Sequence, residues 1–356
     1  MKIFIRAASC ISPQQTFNHE LFFSQPKEYS CNILDVVEPA YKDIIDAKLL
    51  RRMSKIIRIG SATALACLNE ANEKNVDAII TGTAYGCMED SEKFLRSIVE
   101  QDEEALSPTS FIQSTHNTVG AQIALMLKCH EYNNTFVHRG FSFEHALLDA
   151  LFLLNENQHQ QVLAGSADEI TDLTFSVLKR LGLYKQSPVS NFNLFTANTK
   201  GSIAGQGAAF FLLSDQSSKN DYAIINAVET FYNLADEVAV RNKIDQFLLV
   251  QKITSDNIDL IITGKNGDAK NDCVYDDLKT NIFKNIPSIN YKHLCGEYPT
   301  SSSFALWLAA NILKRKILPE CFRDENIDAK KIKTILIYNS YQGKYHSLIL
   351  LSSCNN

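Results

Sequence analysis

Proline and glycine are scarce in this chain, 8 and 14 among 356 residues, which argues against long linkers and for a folded protein with a large core. Runs of like charge are also missing. The net charge is −5 and the basic residues are dispersed, so neither a nucleic-acid binder nor a protein of anionic membrane surfaces is expected. No apolar stretch reaches the roughly 18 residues that a membrane span needs. The opening MKIFIRAASCISP alternates like a strand and lacks the continuous apolar run of a signal peptide, which points to the cytoplasm. The nine cysteines (10, 31, 67, 87, 129, 273, 295, 321 and 354) are scattered, odd in number and without a C-x-x-C pair. Reduced thiols are expected, with no metal site and no cofactor. With 45% hydrophobic residues, the length suffices for two domains or one large α/β unit.

Strand-like runs recur at 3–8, 77–86, 134–140, 161–169 and 208–215, separated by helical patterns near 46–74, 116–129 and 142–156. A second series follows at 222–232, 259–268, 288–294, 334–342 and 346–353, with helices near 239–252 and 302–314. Alternation of this kind predicts an α/β fold with a mainly parallel or mixed sheet.

The two series resemble each other. DAIITGTAYG (77–86) and DLIITGKNGD (259–268) share D-x-I-I-T-G at the same place in each, and both series end in a pair of adjacent strands. So short a match can arise by coincidence; the matching order of elements favours an internal duplication. The polar segment QSSKND (216–221) separates the halves, giving 1–218 and 219–356, packed as one unit.

VHRGFSFEHALLDAL (137–151) runs from a strand into a helix whose core, ALLDALFLL, leaves only Asp149 polar. A helix with no broad polar face belongs in a layer between two sheets. Ser142 is its candidate N-cap, and Glu144 in the first turn suits the helix dipole. Such strand-to-helix corners often carry a nucleophile, because the helix N-terminus lowers the pKa of a thiol or hydroxyl. Here the corner residue is Gly140.

Six segments in order resemble the β-ketoacyl-acyl-carrier-protein synthase family. They are LLRRMSKIIRIGSATALACL (49–68), SPTSFIQSTHNTVGAQIALMLKC (107–129), VLAGSADEIT (162–171), GSIAGQGAAFFLLSD (201–215), YKHLCGEYPTSSSFAL (291–306) and NSYQG (339–343). The resemblance implies a thiolase-like five-layer α-β-α-β-α fold built from two duplicated halves. Members load an acyl chain on a cysteine at the N-terminus of the buried helix and use two histidines to decarboxylate malonyl-carrier protein and stabilise the resulting enolate.

On this resemblance the cysteine position falls on Gly140, in a register held by the spacing to Gly165. The first histidine falls on Thr263 of TGKNGDAKND and the second on Glu297 of KHLCGE, while the accessory lysine is retained as Lys292. None of the three replacements can stand in for a thiolate or an imidazole, so condensation by this chain alone is not expected.

The expected role is that of a chain-length-factor-like partner, similar to the degenerate synthases of aryl-polyene or flexirubin-type pathways. It would pair with an active ketosynthase as a heterodimer, or with itself, and work with an acyl carrier protein. The strand NTFVHRG would form the dimer edge, with Val137, His138, His116 and Asn117 as candidate interface residues, the last two alternatively helix-start residues. Phe111, Phe141, Ser142 and Phe143 are candidates for an acyl pocket or gate, with plain core as the alternative for the aromatic ones. Arg51, Arg52 and Lys55 either touch an acidic carrier or form a solvated helix face. An alternative function relocates acyl transfer or hydrolysis to Ser142, flanked by His138 and His145. A serine that begins a helix is more often its cap, and G-x-S alone lacks the second glycine of the esterase elbow.

Overall fold

The computed structural model describes residues 2–17, 25–104, 106–156, 160–325 and 327–354. All ten expected strands are present: β1 (Ile3–Ile11), β2 (Ala78–Gly82), β3 (Tyr132–Phe136), β4 (Gln161–Asp168), β5 (Gly207–Ser214), β6 (Ala223–Tyr232), β7 (Leu260–Thr263), β8 (Ser288–Asn290), β9 (Thr334–Tyr341) and β10 (Tyr345–Ser352). They join in the order β8-β7-β9-β10-β6-β1-β5-β4-β2-β3.

The two series of five are laid out identically. In each, the first strand is antiparallel to the fifth and the fifth antiparallel to the fourth, which runs parallel to the second; the second runs parallel to the third. The series meet where β1 and β6 pair antiparallel, Ile3 opposite Ile225 and Ile5 opposite Ala223. Each first strand also shifts register at the same place, between Ile5 and Ala7 and between Ile225 and Ala227. An extra residue increases local twist and bends a strand. Beyond the β1 bulge, Ala8 and Cys10 join Ile3 and Ile5 in one core while Ala7 and Ile11 join another.

The main helices are α1 (Lys55–Ala71), α2 (Met88–Glu100), α3 (Pro108–Gln113), α4 (Thr118–Leu127), α5 (Ser142–Asn155), α6 (Asp172–Arg180), α7 (Glu237–Val250), α8 (Cys273–Asn281) and α9 (Ser302–Arg315). Three cores define the layers. Helices α5 and α9 share the central core with residues such as Ile80, Ala164, Phe211, Ile262, Ile337 and Ile349. The opposite sheet face of the first half packs on α1 and α4, and that of the second half on α7 and α8. This is the thiolase-like α-β-α-β-α sandwich.

Helix α5 departs from expectation. Its buried residues Phe143, Ala146, Leu147, Ala150 and Leu154 lie on one side, whereas Phe152 is 62% exposed. The helix buried all round is α9, from Ser302 to Leu313. The cause is position: α5 packs on β3, the last strand of the sheet, and its Asp149 accepts a hydrogen bond from Tyr132 at the sheet margin (3.0 Å). Helices α2, α3, α6 and α8 have no counterpart in the sequence reading, because they are short or polar overall and lack the long apolar runs by which the other helices were read. Among the described residues, no helix is long and apolar enough to cross a membrane.

His346 of β10 is 3% exposed, stacks on Phe231 at 5.3 Å, and its Nδ1 lies 2.9 Å from the Tyr338 hydroxyl. Burial pushes its pKa down to about 4. An unfolded imidazole titrates near 6.5, so this contribution to stability is complete above about pH 6.5 and lost as pH falls towards 4. Between those pH values the Tm of the wild-type chain should fall further than that of His346→Gln; thermal unfolding at several pH values checks this, and equal falls contradict it.

Candidate functional site

The corner between β3 and α5 is a single 3₁₀ turn, Arg139–Phe141, with Arg139 in the left-handed region at φ +52. Such a conformation costs a non-glycine residue energy and persists only where surrounding bonds hold it. Ser142 provides them. Its Oγ accepts from the His138 N–H (2.8 Å) and donates to the Arg139 carbonyl (2.9 Å), and the residue is fully buried. Ser142 therefore ties the turn behind it and does not cap the helix ahead, a correction to the sequence reading. Glu144 is likewise fully buried; it accepts from the Ser347 hydroxyl (2.8 Å) across to β10, and burial pushes its carboxyl pKa up.

Gly140 is buried, and its φ is not positive, so space and not backbone geometry selects glycine. A Cβ here would lie 2.8 Å from Tyr341 Cδ1 and 2.8 Å from Tyr345 Cβ. Both tyrosines belong to the β9–β10 hairpin, where they pair across the strands at its turn. Phe141 packs beside them, with its ring centroid 5.0 Å from that of Tyr345 and 5.4 Å from that of His145. Tyr85 stands next to Tyr341, and burial raises the pKa of both phenols.

The second feature is a buried ion pair. Lys292 begins the short helical turn Lys292–Cys295 and has no exposed surface; its Nζ donates to Glu297 Oε1 at 2.8 Å and Oε2 at 2.7 Å. Asn266 Nδ2 donates to the same carboxylate (2.5 Å). The Glu297 backbone is held as firmly, donating to the Ile203 carbonyl (2.8 Å) and accepting from the Gly205 N–H (3.0 Å). A Cβ on Gly205 would fall 2.1 Å from the Cys295 carbonyl oxygen, so the GSIAGQG segment has glycine where two backbones touch. The loop carrying Asn266 is folded around Asp272, which accepts from the N–H groups of Asn266 (3.0 Å) and Gly267 (2.8 Å); burial pushes its pKa up to about 6.

Thr263 is not part of this group. Leu260 and Ile262 of β7 face the central core and Ile261 faces outward, so strand alternation turns Thr263 outward too, where its hydroxyl donates to Asn290 Oδ1. The next inward position is Gly264, where a Cβ would come within 2.2 Å of Asn339 Oδ1. Thr263 thus faces away from the central core; neither it nor Gly264 carries an imidazole.

The remaining candidates divide by burial. Phe143 sits in the central core with its ring 5.9 Å from Phe211, the plain-core alternative. Phe111 is 57% exposed and packs on Phe94 of α2. His116, Asn117, Val137 and His138 are exposed, and the Nδ1 atoms of His138 and His145 lie 2.6 Å apart. Arg51 and Arg52 are exposed, while Lys55 pairs with Asp35. Tyr341, Tyr345 and Asn266 went unread in the sequence. Two tyrosines flanking the tight turn at Gln342–Gly343 were the available signal, since residues at the base of a hairpin pair across it.

The sequence profile of the β-ketoacyl synthase N-terminal domain matches residues 29–221, more than half of the chain, so the protein belongs to the β-ketoacyl synthase family. Solved structures of similar fold extend over nearly the whole chain. The ishigamide ketosynthase/chain length factor superposes with a TM-score of 0.83 at 15% identity, over 99% of both chains. A β-ketoacyl synthase from Burkholderia phymatum gives 0.79 at 13% identity, over 99% of this chain and 100% of that one. A ketosynthase in complex with its chain length factor from Xenorhabdus doucetiae gives 0.76 at 16% identity, over 99% and 98%. A search of curated proteins returned no match.

Two outcomes test the site's construction. Gly140→Cys should destabilise the fold by about 1–3 kcal/mol through overpacking and leave the thiol at position 140 unreactive, whereas adding Tyr341→Ala and Tyr345→Gly, which removes both clashing atoms, should let that thiol label with maleimide. Glu297→Ala should cost about 3–5 kcal/mol by leaving Lys292 buried without a counter-charge. Lys292→Met with Glu297→Leu should lose much less than the single variants together, as a denaturant-unfolding double-mutant cycle would show.

Proposed function

We propose that this chain is a non-condensing partner of an active ketosynthase in fatty acid or polyketide assembly, of the chain-length-factor kind. The reading rests on one observation above the others: the space a side chain at Gly140 would need is filled by Tyr341 and Tyr345. A nucleophile is thus both missing and sterically precluded there. At Glu297, the carboxylate is committed to Lys292 and Asn266, which leaves it no free role beside a developing enolate.

Pairing is supported by the margin of the sheet. β3 is the last strand of its half, exposed at Tyr132, with exposed Val137 just past its end, and beside it lies α5 with exposed Phe152. An edge strand flanked by exposed apolar side chains suits main-chain pairing with a related subunit. The structures named as ketosynthase and chain length factor give this proposal its partner class, and the complex of a ketosynthase with a type II polyketide acyl-carrier protein, similar in fold at a TM-score of 0.74, gives the carrier. A nucleophilic Ser142 lacks comparable support, because its hydroxyl is buried and already bonded to the backbone of its own turn.

Co-expression with an intact Cys-His-His ketosynthase encoded beside this chain should yield a stable heterodimer that condenses acyl groups, and the chain alone should not. Condensation or acyl-carrier hydrolysis by the isolated chain overturns the proposal, as does a strictly homodimeric chain that ignores the synthase. Phe152→Glu should weaken association at least tenfold in sedimentation experiments without moving the Tm, because that side chain is exposed before pairing.

A further inference from the structure

Two imidazoles face each other where β3 gives way to α5. The His138 N–H is held by Ser142 Oγ (2.8 Å) at the foot of the helix, and His145 follows about one turn along it, which sets Nδ1 of one ring 2.6 Å from Nδ1 of the other with centroids 4.8 Å apart. Phe141 and Phe136 back the His145 ring at 5.4 and 6.2 Å. His138 is exposed and continues the sheet margin from exposed Val137. Exposed Phe152 stands about two turns beyond His145 on the same face of α5, so the pair and the apolar margin form one surface.

A contact between two Nδ1 atoms has room for one hydrogen. In the neutral pair one ring donates and the other accepts; a first added proton leaves the pair charged, and a second sets two N–H groups against each other. Imidazoles take up such protons between about pH 5 and 8. Partial burial pushes the His145 pKa down, and the charge of His138 pushes it the same way. The other ionisable groups around the pair are Arg139 of the turn, Tyr132 of β3 bonded to Asp149 of α5, Glu144 bonded to Ser347, and Tyr232 and Tyr345 beside Phe141. Glu229 of β6 falls on the sheet face away from α5, with Ala227 and Phe231. β2 carries no ionisable residue, Asp168 of β4 is bonded to Thr83 and Thr300, and Lys314 and Arg315 lie in the last turn of α9. None of these groups adds to the effect of His138 on His145.

Resting on the reading of this margin as the place where a ketosynthase subunit pairs, we propose that the two imidazoles set the pH range of the pairing: the margin seats that subunit while both rings are neutral and releases it as they protonate. A subunit laid along β3 and α5 covers the exposed side of the pair and takes water from it, and a charge stripped of water costs far more than a neutral ring. The free chain therefore binds more protons than the complex. Those protons pass to the solvent on association, and affinity falls as pH falls.

Sedimentation of the full chain with the Cys-His-His ketosynthase encoded beside it, in EDTA so that no metal bridges the rings, reads the dissociation constant from about pH 8 down to about pH 5.5. Association should weaken about tenfold or more over that range, one linked proton being worth about tenfold per pH unit once the rings charge. Calorimetry near pH 6 in two buffers of different ionisation enthalpy should show protons released on association; this measurement uses the unaltered chain and stands whether or not variants fold. His138→Asn with His145→Asn should flatten the pH dependence. Association equally tight across the range, no proton release, or an unchanged pH dependence in the double variant overturns this proposal and leaves the partner reading standing. Failure to associate at every pH overturns both.

Discussion

An ammonium group placed wholly inside a protein requires a counter-charge, and Lys292 has no exposed surface at all. Glu297 supplies that charge through both carboxylate oxygens, and the pair then dictates what surrounds it. Asn266 must reach in from the β7 loop, Asp272 must fold that loop, and the 203–205 segment must cross the 295–297 segment at backbone distance. An imidazole at position 297 would serve a different chemistry with the same neighbours. The duty of Lys292 in this fold is therefore structural: it neutralises the Glu297 carboxylate around which these segments meet.

Around this centre the fold is a repeated design. Two five-stranded layouts of equal order and direction, each bent by a bulge at the same point of its first strand, wrap the shared layer of α5 and α9. The halves are further clamped by Asp168 at the end of β4. Its carboxylate accepts from the Ala84 N–H (2.8 Å) and Thr83 hydroxyl (3.0 Å) on one side and the Thr300 hydroxyl (2.7 Å) on the other. Burial pushes that carboxyl up to about 6, so the clamp is anchored by hydrogen bonds as much as by charge.

Much of this was legible beforehand, because buried strands announce themselves. All ten strands lay in runs rich in β-branched and apolar residues, and the D-x-I-I-T-G match marked strands that do hold equivalent places, β2 and β7. What stayed hidden has a common cause in direction and distance. That Thr263 faces away from the central core could not be read from its motif, because in a strand one residue reverses the facing of a side chain. The apolar run of α5 suggested burial on every side, but a run cannot tell a sheet from the air beyond its last strand, and Phe152 lies past that limit. The tyrosines that fill the corner come from about 200 residues downstream of it, a separation across which no local pattern informs.

Those tyrosines also make the corner's history directional. A single codon change can exchange glycine and cysteine, but Tyr345 Cβ is fixed to the hairpin backbone and cannot swing aside to admit the larger residue. Any move from glycine to a larger residue must therefore begin at the hairpin, through an intermediate that has lost an aromatic contact. The hairpin thus acts as a ratchet, making exchange at position 140 far easier towards glycine than away from it.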